Sequence, residues 1–359
     1  MLTRVKELLG FFRRTEKKSP HRKREPTDHV ILVDGTMSVL DDGEETNVGL
    51  IYKLLAEGGE GRPINYLYEA GNQWEDWSST LDIIEGRGIN RQIKRAYGWL
   101  ASRYEPGDRI FLIGFSRGAY AVRSLAGVID MVGLLQREHA TERMIRDAYR
   151  HYKETPDSEA CAEFRAAYCR DDTPIEAVAV FDTVKALGFR APFVWKWEEV
   201  KHAFHNHHLG PSIQHGFHAL ALDETRAAYK PVLWETDPEW NGHVEQVWFR
   251  GSHGDVGGQL NGYNVARPLS NIALCWMLTK LERCELALPK DWRSRFPTDA
   301  DAPSVGSWRG WARFFLAREE RVIGADASEK LHPLSEGRSK RGNGLPVADL
   351  MDGQVPHTA

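Results

Sequence analysis

Ser116, in the stretch "GFSRGA" at residues 114–119, combines a nucleophilic side chain with two close glycines. A GxSxG pattern by itself is weak. It gains meaning when the serine ends a buried strand and opens a helix, because the sharp turn then lifts the hydroxyl above the sheet. Ile110, Phe111, Leu112 and Ile113 supply the strand-like run, and Ala119, Tyr120, Ala121 and Val122 begin a helical one. Gly114 and Gly118 are the small neighbours that such an elbow needs. Ser116 is therefore the expected nucleophile. The backbone N–H of Arg117, at the N-terminus of the helix, is an expected oxyanion donor.

A serine hydroxyl needs a base, and a histidine base needs a carboxylate to hold its tautomer. On a strand–helix scaffold these follow in the order Ser, Asp/Glu, His, at strand ends. Two acids qualify: Asp182, ending "AVAVFD", and Asp223, ending "ALALD". The favoured base is His253, in "VWFRGSHGDVGG", where glycines 251, 254, 257 and 258 supply tight turns. His243 precedes that strand, and His218 is expected at a strand's start. No strand is expected before His332, in "KLHPLSEGR". The second oxyanion donor is expected from the loop after the first strand, "VDGT", as the N–H of Gly35 or Thr36. Asp34 is expected to brace that loop.

The elements that must position these residues alternate. Strand-like runs cover 29–36, 64–71, 109–116, 175–184, 217–224 and 244–253. Helical patterns cover 47–58, 90–104, 117–135 and 268–284. This rhythm predicts an α/β fold with a mostly parallel central sheet, helices on both faces and a cap insertion. The domain organisation expected is a flexible basic arm over 1–26 and a catalytic domain over 27–285. A helical extension with a polar tail follows over 286–359. Residues 186–216 break the rhythm and are assigned as the cap, with Trp195, Trp197 and His205 as its substrate-facing residues. The stripe Trp308, Trp311, Phe314 and Phe315 is expected on a helix over 307–322.

The 359 residues are 42% hydrophobic and carry a net charge of −4. No run is long and apolar enough for a transmembrane helix, and the N-terminus lacks the h-region of a signal peptide. Four cysteines without paired spacing fit a reducing compartment. A cytoplasmic protein is expected, either exported by a signal-independent secretion system or peripheral at a membrane. Nine Lys/Arg stand between Arg4 and Arg24, an arm suited to an anionic membrane surface. Basic and aromatic residues are not interleaved there, so no nucleic-acid partner is expected. The histidines of "HAFHNHHLGPSIQH" (202–215) lack an HExxH spacing, so no metal and no cofactor are expected.

Several linked pieces resemble one family, the α/β-hydrolase-like DUF2235 group, to which the Tle1-class phospholipase effectors of type VI secretion belong. The matching pieces are "VDGT", "TNV" (46–48), "GFSRGAYAVRSLAG", "VFDTV", "HALALDE" and "VEQVWFRGSHGDVGG", with "LHPLSEGR" extending the match to about residue 338. The resemblance implies Ser116 as nucleophile, Asp182 as triad acid and His253 as base. It leaves Asp223 and Asp255 structural. It implies a serine esterase acting on esters or phospholipids, with secretion-machine components as partners. A non-catalytic membrane- or partner-binding module on the same scaffold is the alternative. The family commonly has Trp-Asn after DGT, whereas this chain has Met37 and Ser38. The lipid-targeting modules of secreted effectors have no counterpart after the core.

Overall fold

The computed structural model describes residues 24–71, 87–184, 208–309, 316–339, 341–342 and 344–349. Seven strands form one sheet: β1 (Asp28–Val33), β2 (Ile64–Glu69), β3 (Arg109–Phe115), β4 (Ile175–Phe181), β5 (Ile213–Ala221), β6 (His243–Phe249) and β7 (Glu329–Leu331). Their spatial order is β2-β1-β3-β4-β5-β6-β7, and every pairing is parallel. Parallel sheets are covered on both faces, which is why β1, β3 and β4 are near-continuous apolar runs.

Two cores result. On one face, helices α1 (Asn47–Glu57) and α7 (Arg267–Arg283) pack Ile51, Leu54, Trp276 and Met277 against Phe111, Ile113, Ala179 and Phe249. On the other, α2 (Arg87–Ala101) and α3 (Arg117–Met131) bring Ile93, Tyr97, Val122 and Leu125 to Ile31, Leu112 and Val178. Two further helices, α4 (Glu142–Glu154) and α5 (Glu159–Tyr168), extend this second layer; Thr141 and Ser158 cap them, each accepting a backbone N–H. A short α6 (His253–Gly257) follows β6.

The chain leaves β1 toward β2 on one side, while β3 lies on the other. Neighbouring strands that feed opposite directions open a crevice at their C-terminal ends, where ligands bind in open α/β sheets. The loop after β1 and the turn after β3 both border that crevice, with Val33 paired to Gly114.

Three expectations need correction. β5 begins at Ile213, so the last residues assigned to the cap belong to the sheet; residues 185–207, with Trp195, Trp197 and His205, lie outside the described residues. The C-terminal extension supplies a strand as well as helix: three-residue β7 pairs with β6 and packs Leu331 on Leu222 and Trp248. So short a strand leaves no periodicity to read. The described flanks of the expected 307–322 helix, 307–309 and 316–322, are not helical, and Arg318 bridges Arg226 instead. Trp308 is exposed, with Arg318 over its ring; Trp311, Phe314 and Phe315 lie outside the described residues.

The basic arm is tied down at its end. Arg24 forks onto both oxygens of Asp108 at 3.0 and 2.9 Å. The rest of the arm, 1–23, lies outside the described residues.

Candidate active site

Ser116 sits between β3 and α3 with φ 59° and ψ −121°. A non-glycine residue rarely adopts positive φ, and such strain is tolerated only where the surroundings hold it. The surroundings are tight. A Cβ on Gly118 would lie 2.1 Å from the Val33 carbonyl oxygen, and one on Gly114 would lie 2.7 Å from the Ala119 Cα. Neither glycine is needed for its φ; both are needed because α3 starts hard against β1 and the turn.

Asp182 follows β4 and His253 opens α6 after β6. The structure brings the three together. His253 Nε2 lies 2.9 Å from Ser116 Oγ, and His253 Nδ1 lies 2.5 Å from Asp182 Oδ2. An ionised carboxylate can only accept, so Nδ1 carries the proton and Nε2 accepts from the serine hydroxyl. Burial pushes the His253 pKa below its ordinary value, against the pull of Asp182. The imidazole is thus neutral near pH 7 and able to take a proton.

Asp182 has φ 42° and is fully buried. Its Oδ1 accepts the Ala221 N–H at 3.0 Å. A second group on it has no signal in the sequence near Asp182. Arg321, buried at 3% side-chain exposure, donates to Oδ1 at 2.5 Å and to Oδ2 at 2.8 Å. The same guanidinium donates to the carbonyls of Ala221 and Tyr229. Burial works to raise the Asp182 pKa, but the Arg321 charge and hydrogen bonds, with His253, hold it far below the carboxylate range.

The His253 loop is fixed from several sides. Asp255 accepts from the Ser252 N–H and hydroxyl, the Ser304 hydroxyl and the Val305 N–H. Asp223, the other acid weighed, accepts from Gly251 N–H and Ser339 and does not reach the imidazole. Glu224 accepts the His253 N–H at 3.1 Å and forks onto Arg226. The imidazole packs between Phe115 and the edge-on ring of Tyr229, each centroid at 4.7 Å.

The other histidines are placed elsewhere. His218 is inside β5 rather than at its start, and its Nε2 accepts the Thr183 N–H at 3.1 Å. Burial and Arg123 push its pKa down to about 3. His243 begins β6 and pairs with Glu245. His332 stacks on Phe249.

The loop after β1 is organised by Asp34. Its buried carboxylate accepts from Gly35 N–H at 2.6 Å, Ser38 Oγ at 2.9 Å, Thr46 Oγ1 at 2.6 Å and Tyr68 OH at 2.7 Å. Ser38, one of the two departures from the family pattern, is thus part of the brace; Met37, at φ 64°, is exposed. Of the two amides considered, Gly35 N–H is taken by Asp34. The Thr36 and Arg117 amides donate to no protein group among the described residues. Gly35 is required sterically, since a Cβ there would lie 2.7 Å from the Phe115 ring.

Residues 28–280 match a family model described as the catalytic domain of the type VI secretion phospholipase effector Tle1-like family. A curated relative, the uncharacterised protein YEL023C of Saccharomyces cerevisiae, is 26% identical over 235 residues, 58% of this chain. The match spans a third (33%) of that relative's length. Two solved structures are similar at 16% identity. One is an uncharacterised protein from Pseudomonas aeruginosa (TM-score 0.39, covering 78% of this chain and 52% of that one). The other is a Tle1 effector bound to the VgrG spike of a type VI secretion system (TM-score 0.35, 68% and 56%).

Proposed function

Since this chain belongs to the Tle1-like phospholipase effector family through its catalytic domain, we propose that it is a serine hydrolase that cleaves carboxylic esters of phospholipids. The observation that carries this reading is the continuous hydrogen-bonded run from Ser116 Oγ through His253 to Asp182.

In this mechanism Ser116 Oγ attacks the ester carbonyl carbon while His253 Nε2 takes the hydroxyl proton. Asp182 keeps the proton on Nδ1 and steadies the imidazolium. The carbonyl oxygen becomes an oxyanion and receives the amides of Arg117 and Thr36. Neither of these amides has a protein acceptor among the described residues, whereas Gly35 N–H serves the loop. Collapse breaks the bond to the alcohol, which leaves with the proton from His253. The acyl group stays on Ser116 as an ester. Water, deprotonated by His253, then releases the acid and restores the serine. Removing one oxyanion donor typically costs ~10²–10³ in rate.

Family membership also supports a secretion machine as partner and export without a cleaved signal. Among the described residues no helix is long and apolar enough to cross a membrane. The basic residues between Arg4 and Arg24 suit contact with an anionic bilayer.

Ser116→Ala tests the reading. It should abolish hydrolysis of phospholipids and of short p-nitrophenyl esters, and remove labelling by a fluorophosphonate probe. A Ser116→Ala protein that still hydrolyses or still labels would refute Ser116 as nucleophile. Hydrolysis of simple esters with no phospholipid turnover would refute the substrate class alone.

A further inference from the structure

The edge of the sheet opposite Ser116 holds a cluster that ester hydrolysis leaves unused. Glu176 is the second residue of β4, His215 the third of β5, and Cys284 directly follows α7. All strands run parallel, so the beginnings of β4 and β5 lie at one edge and Ser116, Asp182 and His253 lie at the other. One ligand atom from each of the three residues lies within 4.8 Å of the other two.

His215 Nε2 is 3.9 Å from Glu176 Oε1. That is too long for a hydrogen bond. It is close to the separation of two ligands on one tetrahedral ion, roughly 3.3–3.6 Å for bonds of 2.0–2.3 Å. Rotation of the side chains closes the remaining gap, and the Glu176 and His215 side chains, 16% and 33% exposed, have room for it. The other ring nitrogen, Nδ1, is buried and has no hydrogen-bond partner.

We propose that Glu176, His215 and Cys284 bind a divalent cation of the zinc class, remote from the hydrolytic site. A thiolate, an imidazole and a carboxylate are a donor set for zinc, whereas magnesium and calcium take oxygen ligands. Two cations near the cluster already have counter-charges. Arg109 forks onto Asp28 and also meets Glu285, and Lys280 lies 2.5 Å from Glu245. Glu176 is thus the carboxylate available to an ion. The neighbouring His243 is held by Glu245 at 2.7 Å, so the fourth position is left to water.

The charges balance on binding. A cysteine thiol, with an ordinary pKa of about 8.5, is mostly protonated near pH 7, so the free site holds S–H. The ion forms its bond to sulfur as the thiol proton leaves to solvent. The two positive charges then meet one thiolate and one carboxylate. Occupancy would tie the end of α7 to the starts of β4 and β5.

The whole chain, freed of metal by chelation, is titrated with Zn²⁺ by calorimetry in buffers of different ionisation enthalpy, and with Co²⁺ by absorbance. The expected result is one ion per chain, one proton released, and a thiolate-to-cobalt charge-transfer band. Cys284→Ser should remove the band and weaken Zn²⁺ binding more than about tenfold. If Cys284→Ser does not fold, His215→Asn, at a partly exposed side chain, should weaken binding to a similar extent. No Zn²⁺ binding would overturn the proposal. So would binding without proton release or the thiolate band, which would place the ion on other histidines of the 202–215 stretch.

Discussion

Arg321 occupies both oxygens of Asp182, and His253 shares one of them. The guanidinium fixes the carboxylate plane and offsets much of its charge. It acts on the imidazole only through Asp182, as a positioning residue. The groups facing His253 are Asp182, Arg321, Glu224, Arg226, Tyr229 and Ser116; Glu224 and Arg226 neutralise each other in a fork. Without Arg321, the Asp182 charge falls more fully on the imidazole and favours its protonated form. With His253 as the proposed base, the acid limb of kcat/KM is expected below the ordinary histidine pKa of about 6.5 in the native chain. Arg321→Gln should move that limb to higher pH and lower kcat roughly 10–100-fold, as a misplaced base does. Arg321→Lys should restore part of both. A kcat loss with an unmoved pH profile would leave Arg321 a purely structural role. Because the Asp182 pKa is depressed, the stability of this pair is present above the unfolded aspartate value of about 3.9 and is lost as pH falls below it.

At the scale of elements, two turns against one strand end build the side of the crevice proposed to receive the oxyanion. α3 begins against the Val33 carbonyl, and the loop after β1 lies over Phe115. Both approaches exclude a side chain. Gly118→Ala should therefore cost about 2–3 kcal/mol of stability, the penalty for overpacking a site that cannot give way. Urea denaturation would read it as a lower midpoint with an unchanged slope. A midpoint equal to that of the native chain would show that α3 can retreat. The brace at Asp34 works on the same loop: four donors on one buried carboxylate hold Thr36 in place without using its N–H. The GxSxG elbow and the VDGT loop could be read locally because their residues are neighbours in the chain. That Gly35 N–H turns inward to Asp34 could not, since the choice depends on Tyr68 and Thr46 arriving from other elements.

At the scale of the molecule, the part of the chain after Glu285 is built into the fold. Leu286, Leu288, Trp292 and Ala348 join the core under α1 and α7, β7 pairs with β6, and Glu329 accepts the Trp248 indole N–H. Arg321 comes from the same region. A chain ending at Glu285 should lose cooperative unfolding and ester hydrolysis together. Retention of both, measured by circular dichroism and p-nitrophenyl ester turnover, would show this region to be dispensable.

The sequence by itself determined the alternating α/β order, the strand that ends at Ser116, and Asp182 and His253 as candidates at later strand ends. Those features rest on apolar periodicity and on short motifs, which are local. Strand-end position alone left Asp182 and Asp223 open, and the family resemblance chose Asp182; the contact with the imidazole itself depends on what lies across the crevice. Tertiary structure decided the place of Arg321, 139 residues from its partner, and of β7, too short to show a period. It gathered Glu176, His215 and Cys284 at the far edge of the sheet. Contacts between residues so distant in the chain are set by how strands order in the sheet and helices pack on it, and no spacing in the sequence records them.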